Sequence, residues 1–257
     1  MLSSFYVEDH VKAALMEDIG FGDITIDYLT NENDIMKCEL NSRVEGILCG
    51  KNVFEMVFKV LSPEVKVTFY KQDGDAICKG DKIADIEGPA RYVLLGERLA
   101  LNYIQRMSGI ATETNKYQKA IGNYKAKIVD TRKTTPLFRA FEKYSVKIGG
   151  GSLHRFNLSD CAMIKDNHIK YAGSITNAIE KLRSHISHAH KIEVECDTFE
   201  QVKEAVACKA DIIMLDNMTL EQMKEAVELI DHRATVEASG NVHLDTVRKI
   251  AECGVDI

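Results

Sequence analysis

The sequence lacks any run of 18 consecutive apolar residues across its 257 positions, so it predicts no membrane-spanning helix. Its N-terminus carries acids early and lacks the apolar segment of a signal peptide. The seven cysteines include no Cys-x-x-Cys pair and are scattered, which indicates neither a zinc site nor a disulfide framework. These absences predict a cytoplasmic protein that binds no membrane.

An excess of positive charge is also lacking, since the formal net charge is −6. This balance argues against a general nucleic-acid binder. The stretch from Thr131 to Lys170 is nevertheless basic, with eight Lys and Arg residues against three acids. Cations grouped beside apolar or glycine-rich segments predict a pocket for a small anion, although a solvated basic face is the alternative. The groups are Arg132-Lys133, His154-Arg155 and Lys165-Asp166-Asn167-His168.

The first third of the chain predicts a small α+β unit. Residues 5–17 have helical periodicity, and Gly20 and Gly22 end that helix. From about 35 to 92, short β-branched runs separated by Asp-Gly turns predict strands, interrupted by one helix at about 51–61. These strands are expected to form a sandwich.

Residues 93–119 predict one or two helices, with a break at Ser108-Gly109. Arg98, Asn102 and Arg106 recur every four residues and therefore share roughly one helix face. That face is either a solvated stripe or part of a functional surface.

Strand-like and helix-like segments alternate after residue 119. Because this alternation implies parallel strands with helical crossovers, and no Gly-x-Gly-x-x-Gly turn occurs, it favours an α/β barrel over a dinucleotide-binding sheet. Helices are predicted near 174–186, 198–208, 219–230 and 244–253. Strands are predicted at Lys127–Val129, Ala162–Ile164, Ile192–Val194, Ile212–Leu215 and Thr235–Ala238.

Each predicted strand ends on polar residues. In an α/β barrel the carboxyl ends of the strands meet at one mouth, so these residues should converge on one site. Helix capping is the alternative for Asn217 or Asn241 but does not account for Arg132-Lys133 or Lys165. The clusters are Asp130-Thr131-Arg132-Lys133, Lys165-Asp166-Asn167-His168, Glu193-Val194-Glu195-Cys196-Asp197, Asp216-Asn217 and Ser239-Gly240-Asn241.

Two chemistries are combined in these clusters. The cations Arg132, Lys133, Arg155 and Lys165 suit carboxylates and phosphates. Glu195 and Asp216 offer oxygen ligands to Mg²⁺, which typically binds one or two carboxylates together with substrate phosphates. Glu193 and Glu195 lie on one predicted strand and are expected to point to its opposite faces, so that only one of them faces the mouth. Ser239-Gly240 allow backbone N–H groups to approach a phosphate.

At these residues the chain resembles the quinolinate phosphoribosyltransferase family. The resemblance covers nearly the whole length, and its specificity lies in the joint occurrence of many short motifs in order. They are Glu17-Asp18-Ile19-Gly20, Gly22-Asp23-Ile24-Thr25, Gly96-Glu97-Arg98, Leu101-Asn102, Ser108-Gly109-Ile110-Ala111-Thr112, Asp130-Thr131-Arg132-Lys133-Thr134, Gly149-Gly150-Gly151, His154-Arg155, Ile164-Lys165-Asp166-Asn167-His168, Glu193-Val194-Glu195, Leu215-Asp216-Asn217 and Glu237-Ala238-Ser239-Gly240.

The resemblance implies an N-terminal α/β sandwich followed by an open, TIM-like α/β barrel. The expected division is a helix at 1–22 that packs on the barrel, a sandwich at 23–108 and a barrel at 109–257. Family members continue past the position of Ile257 into a strand and a glycine-containing phosphate loop, so we expect a truncated C-terminal end. The resemblance also implies a homodimer in which Arg98 enters the partner's site.

The resemblance assigns roles to single residues. It implies that the pyridine dicarboxylate is bound by Arg132, Lys133, His154, Arg155 and Lys165, with Thr131 also at the substrate. Glu195 and Asp216 resemble the acids that bind ribose and magnesium, and Ser239-Gly240-Asn241 resembles a phosphate loop. Lys133, Lys165, Glu195 and Asp216 are the expected catalytic residues, and Mg²⁺ is the expected cofactor.

The implied activity is that of a decarboxylating pentosyltransferase in NAD biosynthesis. Its substrates would be quinolinate and phosphoribosyl pyrophosphate, and its products nicotinate mononucleotide, pyrophosphate and CO₂. Two alternatives are open at this point. One is a related phosphoribosyltransferase-like protein of the same fold that acts on another substrate, and the other is a non-catalytic module that binds a phosphate ligand.

Overall fold

The computed structural model describes residues 2–257, which form two compact units, each with its own hydrophobic core. The first unit comprises residues 2–115 and 134–150, and the second comprises Lys116–Lys133 and Gly151–Ile257. Over the described part of the chain, no helix has both the length and the apolar character needed to cross a membrane.

The first unit is an α+β structure built around antiparallel strands. Its larger sheet has the order β1-β5-β3, and β2 pairs with β4 separately. The predicted strands at about 35–92 and the helix at about 51–61 are confirmed. The elements are α1 (Ser4–Ile19), α2 (Ile26–Leu29), β1 (Ile35–Asn41), β2 (Gly46–Ile47), α3 (Lys51–Leu61), β3 (Lys66–Phe69), β4 (Ala76–Ile77), β5 (Lys82–Pro89), α4 (Ala90–Ile121, of which residues 90–115 belong here) and α5 (Arg139–Ile148).

The N-terminal helix belongs to this first unit. Val7, Val11 and Leu15, spaced four residues apart, are buried in the same core as α3, against which α1 packs. Gly20 ends the helix with a φ of 57°, a conformation that glycine adopts without a Cβ penalty. The apolar stripe of α1 is therefore covered by α3. The expectation that this helix packs on the barrel stays a prediction.

Helix α4 runs without interruption from Ala90 to Ile121, so the predicted break at Ser108-Gly109 is wrong. The Ser108 hydroxyl accepts a hydrogen bond from the Cys49 backbone N–H at 2.9 Å and donates to the Cys49 carbonyl at 3.1 Å. The Ser108 side chain therefore links α4 to the segment between β2 and α3 and does not end the helix. A single glycine in a helix costs only about 1 kcal/mol, which the buried face of this long helix offsets.

Replacing either of two glycines in the first unit by alanine is expected to change the stability of the protein in opposite directions. In Gly149→Ala, the new Cβ would lie 2.4 Å from the Ala111 carbonyl oxygen and 2.7 Å from the Thr114 Cβ. In Gly109→Ala, no atom lies within 4 Å of the new Cβ. We expect Gly149→Ala to destabilise the protein by about 1–3 kcal/mol through overpacking, and Gly109→Ala to stabilise it by about 0.5–1 kcal/mol.

Thermal and urea unfolding of both variants beside the wild type would measure these effects. Gly109→Ala is the matched control, because it makes the same chemical change on an exposed helix position. Two shifts of the same sign would contradict the packing described for Gly149.

The second unit alternates strands and helices, as predicted. Its parallel sheet has the order β6-β7-β8-β9. Its elements are β6 (Cys161–Ile164), α6 (Asp166–Ala172), α7 (Ile175–Arg183), β7 (Lys191–Cys196), α8 (Phe199–Ala207), β8 (Ile212–Asp216), α9 (Leu220–Ile230), β9 (Thr235–Ser239) and α10 (Val247–Glu252). The four predicted helices and the last four predicted strands are thereby confirmed.

Irregular segments continue the barrel beyond β9. The N–H groups of Asp256 and Ile257 donate to the Val236 carbonyl at 2.9 and 3.1 Å, and the N–H of Lys127 donates to the Asp256 carbonyl at 3.0 Å. Val129 then forms an isolated parallel bridge with Ser152. The predicted strand at Lys127–Val129 is therefore present only as an extended segment, since it pairs through single hydrogen bonds. Among described residues, no backbone ladder joins Ser152 to β6, so the barrel is open there.

The sheet of the second unit has one apolar face and one polar face. The apolar face packs into the core with the helices through residues such as Ile164, Val194 and Leu215. The opposite face follows from the alternation of side chains along each strand and from the register between strands. It comprises Met163, Glu193, Glu195, Met214, Asp216, Glu237 and Ser239, and it is the inner face of the open barrel.

Candidate active site

The residues that end the strands of the second unit form one polar rim. Glu195 pairs in register with Met214, and Asp216, two residues further on, pairs with Ser239. Lys165 follows the last residue of β6, which pairs with Val194. The predicted convergence of polar strand ends is therefore present in the geometry of β6 to β9.

Glu193 and Glu195 both face the inside of the barrel, so the expectation that only one of them does is wrong. The two residues are separated by one position on β7, and residues i and i+2 of a strand lie on the same face. They differ in depth instead. Glu193 is fully buried, whereas Glu195 is partly exposed nearer the rim.

Lys165 and Glu195 form an ion pair at the rim. Lys165 stands at the N-cap position of α6, where its backbone N–H donates to His168 Nδ1 at 2.9 Å. Its ammonium group is therefore directed to the barrel acid and not to the helix end. The side chains of Lys165 and Glu195 are 42 % and 17 % exposed, so incoming ligands have access to this pair.

Arg132 and Lys133 carry charges that no carboxylate of residues 2–257 neutralises. Within residues 2–257 neither side chain takes part in an ion pair or a hydrogen bond, and the Nε of Arg132 is buried without a partner. The turn that holds them is fixed by Thr131, whose hydroxyl accepts from the Lys133 backbone N–H at 3.0 Å. Such unpaired cations are suited to an anionic ligand.

His154 and Arg155 lie on the segment that follows Ser152. The Arg155 guanidinium donates to the Cys161 carbonyl at 2.9 Å and contacts Met163 Sδ at 3.2 Å, so it too has no carboxylate partner among described residues. Both ring nitrogens of His154 contact the chain itself. Nδ1 accepts from the Arg155 backbone N–H at 2.8 Å, and Nε2 approaches two buried acids at 3.2 Å each.

The loops that follow β8 and β9 contact each other through polar groups. The Asn217 backbone N–H donates to the Ser239 carbonyl at 2.9 Å, and Asn241 Nδ2 donates to Asn217 Oδ1 at 3.2 Å. Gly240 has a φ of 86°, and a Cβ there would lie 2.1 Å from Asn217 Oδ1, so only glycine fits. Asp216 accepts from Asn217 Nδ2 at 2.7 Å.

Helix capping does not account for these asparagines. The N-caps of α8, α9 and α10 are Thr198, Thr219 and Thr246. Asn217 and Asn241 instead have φ values of 54°, a left-handed conformation that asparagine tolerates and that turns the loops toward each other.

Comparisons with known proteins match both halves of the chain to the two domains of one family. The family model "Quinolinate phosphoribosyl transferase, C-terminal domain" matches residues 110–257, and its N-terminal counterpart matches residues 23–108. The chain belongs to the quinolinate phosphoribosyltransferase family.

Curated relatives and solved structures resemble this chain over most of their length. It is 42% identical to a probable nicotinate-nucleotide pyrophosphorylase of Bacillus subtilis, over 94% of this chain and 83% of the relative. A relative of the same name from Methanothermobacter thermautotrophicus is 39% identical over 97% of this chain and 91% of its own. The crystal structure of NadC from Streptococcus pyogenes superposes with a TM-score of 0.96 at 41% identity, covering 100% of this chain and 90% of that one.

The fold expected for the family, an N-terminal α/β sandwich and an open α/β barrel, is confirmed by this structural likeness. Of the predicted site residues, all but Arg98 belong to the second unit. Arg98 lies on α4 in the first unit, exposed and without an ion pair among described residues. Arg106 on the same helix is instead paired with Glu142 at 2.7 Å. The predicted domain limits and site roles stay predictions.

Two buried acids beneath the rim were given no role in the predicted site. Glu193 and Glu237 are 0% and 7% exposed, and a carboxylate oxygen of each lies 3.2 Å from His154 Nε2. These carboxylates raise the pKa of His154. The available signal was an acid inside an otherwise apolar strand, which is costly to bury unless it has a partner. Sequence alone does not reveal that the partner is His154.

Proposed function

We propose that the chain transfers the phosphoribosyl group of phosphoribosyl pyrophosphate to quinolinate with loss of CO₂. The observation that carries this proposal is the set of three cations, Arg132, Lys133 and Arg155, without carboxylate partners among described residues. They stand on the segments that end beside a rim with two acids. Cations left unpaired by the protein suit a substrate with two carboxylates, and rim acids suit a metal bound to phosphates.

The proposed reaction balances in two steps. The pyridine nitrogen bonds to C1 of the ribose as the bond from C1 to the pyrophosphate oxygen breaks, and pyrophosphate leaves with that electron pair. The pyridinium nitrogen then stabilises the electron pair left on the neighbouring carbon when its carboxylate departs as CO₂. That carbon takes a proton from water, giving nicotinate mononucleotide. The protein contributes positioning and charge complementarity.

Magnesium is part of the proposal, and the donor set fits it. Glu195 and Asp216 place carboxylates on the inner face of adjacent strands, at the rim where both are accessible. Hard oxygen ligands of this kind, few in number, are what Mg²⁺ binds together with substrate phosphates. When bound, Mg²⁺ would neutralise charge on the departing pyrophosphate. Ser239, Gly240 and Asn241 would hold a phosphate through backbone N–H groups.

A homodimer in a cytoplasmic setting also belongs to this proposal. The first unit exposes large apolar side chains at Phe21, Ile24, Tyr28 and Leu29, with exposures of 114%, 83%, 87% and 76%. A group of such residues supports an interface with another chain. Arg98, exposed and unpaired in the same unit, is then the proposed residue that completes the partner's site.

The full chain, supplied with quinolinate, phosphoribosyl pyrophosphate and Mg²⁺, is expected to release CO₂ and pyrophosphate in equal amounts. Carboxyl-labelled quinolinate and a pyrophosphate assay would measure both products. Nicotinate in place of quinolinate is the control, because it lacks the carboxylate that leaves. Pyrophosphate release with nicotinate but not quinolinate would favour the related transferase. Ligand binding without release of either product would favour the non-catalytic module.

A further inference from the structure

We infer that Glu193 and Glu237 are positioning residues that orient the His154-Arg155 pair for the dicarboxylate substrate. This inference rests on the function proposed above. Both acids lie on the inner face of the barrel, on β7 and β9, whereas His154 lies on the segment after Ser152. The contact between His154 and the two acids therefore links β7 and β9 to the segment after Ser152, which is not next to either strand in the barrel wall.

In the cluster of His154, Glu193 and Glu237, one ring hydrogen of His154 lies between two carboxylate acceptors. His154 Nδ1 accepts from the Arg155 backbone N–H, so the ring hydrogen that faces the acids is on Nε2. Nε2 lies 3.2 Å from an oxygen of each carboxylate. Neither Glu193 oxygen has a well-aligned hydrogen bond among described residues, as expected when one N–H points between two acceptors.

Electrostatics keeps that hydrogen in place. The contact with the Glu193 carboxylate, and then the contact with the Glu237 carboxylate, raises the pKa of His154, against the lowering effect of burial. The Arg155 N–H opposes protonation of Nδ1, because an imidazolium has no lone pair there. Both influences leave the Nε2 hydrogen between the carboxylates.

The ring in turn fixes the backbone that carries Arg155. The His154 N–H donates to Asp130 Oδ1 at 2.9 Å, which ties this segment to the turn that holds Arg132. The Arg155 N–H is bound to the His154 ring, and its guanidinium is held by Cys161 and Met163. Loss of either acid would release the ring and thereby the Arg155 backbone, although neither acid needs to touch the substrate.

Replacing either acid by methionine tests this role. Methionine has a similar volume, and in each variant the remaining acid still contacts His154 Nε2, so the ring is not left without a carboxylate. We expect Glu193→Met and Glu237→Met to raise KM for quinolinate at least 10-fold, with KM for phosphoribosyl pyrophosphate changed less than 2-fold. Glu193→Gln, which keeps an acceptor for Nε2–H, should recover most of the loss. Glu200→Gln, on the exposed surface of α8, is the matched control.

A second measurement does not depend on activity. The Nε2–H proton of His154, identified by its absence in His154→Asn, should give a slowly exchanging NMR signal in the substrate-free protein and lose that protection in both methionine variants. If the wild type releases no CO₂ or pyrophosphate while this signal behaves as expected, only the proposed function fails. Equal changes in both KM values, or an unaltered signal, would overturn the positioning role. Stoichiometric binding of Zn²⁺ by the wild type, abolished in the variants, would overturn it in favour of a metal site.

Discussion

Arg132→Ala is expected to lower kcat/KM for quinolinate by at least about 100-fold. Arg132 has no carboxylate partner among described residues, and its Nε is buried without a hydrogen bond. Its charge is therefore available to a substrate carboxylate, and losing one member of a desolvated charge pair costs about 2–5 kcal/mol. At about 1.4 kcal/mol for each factor of ten, the middle of that range gives the stated effect.

Steady-state kinetics with each substrate varied in turn would measure it. Arg248→Ala, which removes an exposed arginine from α10, is the control and should keep wild-type kinetics. Arg132→Lys should recover only part of the loss, because lysine lacks the planar fork that binds a carboxylate through two hydrogen bonds. Near-normal turnover of quinolinate by Arg132→Ala would contradict the assignment of this residue to the dicarboxylate.

Glu195→Gln is expected to lower kcat by about 100-fold or more and to weaken activation by Mg²⁺. The substitution keeps the shape of the side chain but removes its charge at the rim, where the proposed reaction would develop charge on pyrophosphate. Asp216→Asn, on the neighbouring strand, should behave in the same way. Activity measured across a Mg²⁺ titration, with circular dichroism to verify folding, would test both variants.

Glu200→Gln serves again as the control, since it removes an exposed acid of the same unit. An unchanged Mg²⁺ dependence in both Glu195→Gln and Asp216→Asn would exclude them as metal ligands. Intact ligand binding with no pyrophosphate release from the wild type would instead support a binding module.

The regular part of the second unit was predictable because its signals are local. Apolar runs such as Ile212–Leu215 and the helix that follows each of them have distinct periodicities. The edges of the barrel were harder to predict. Lys127–Val129 looks like a strand by composition, yet it forms a single bridge, because pairing depends on segments more than 20 residues away. The helix across Ser108 and Gly109 likewise depends on a tertiary contact to Cys49.

Part of the candidate site was predictable for a different reason. Cations such as Arg132 and Lys165, placed where helices are expected to begin, are unfavourable as helix caps. Their positions therefore indicate a binding function. Glu193 and Glu237 do not end their strands, and their importance comes from burial and from a partner on a distant segment. Long-range pairing of this kind carries no spacing rule that a single sequence can show.

Under the proposed function, the ion pair between Lys165 and Glu195 would make the affinities for two reactants interdependent. Each side chain satisfies the other in the substrate-free protein, yet each is assigned to a different ligand, the first to an organic anion and the second to a metal complex. A ligand that binds one partner would free the other, so occupancy of either half would lower the free-energy cost of binding at the other half. By thermodynamic reciprocity the benefit is equal in both directions. A rim of this kind favours a ternary complex over either binary one.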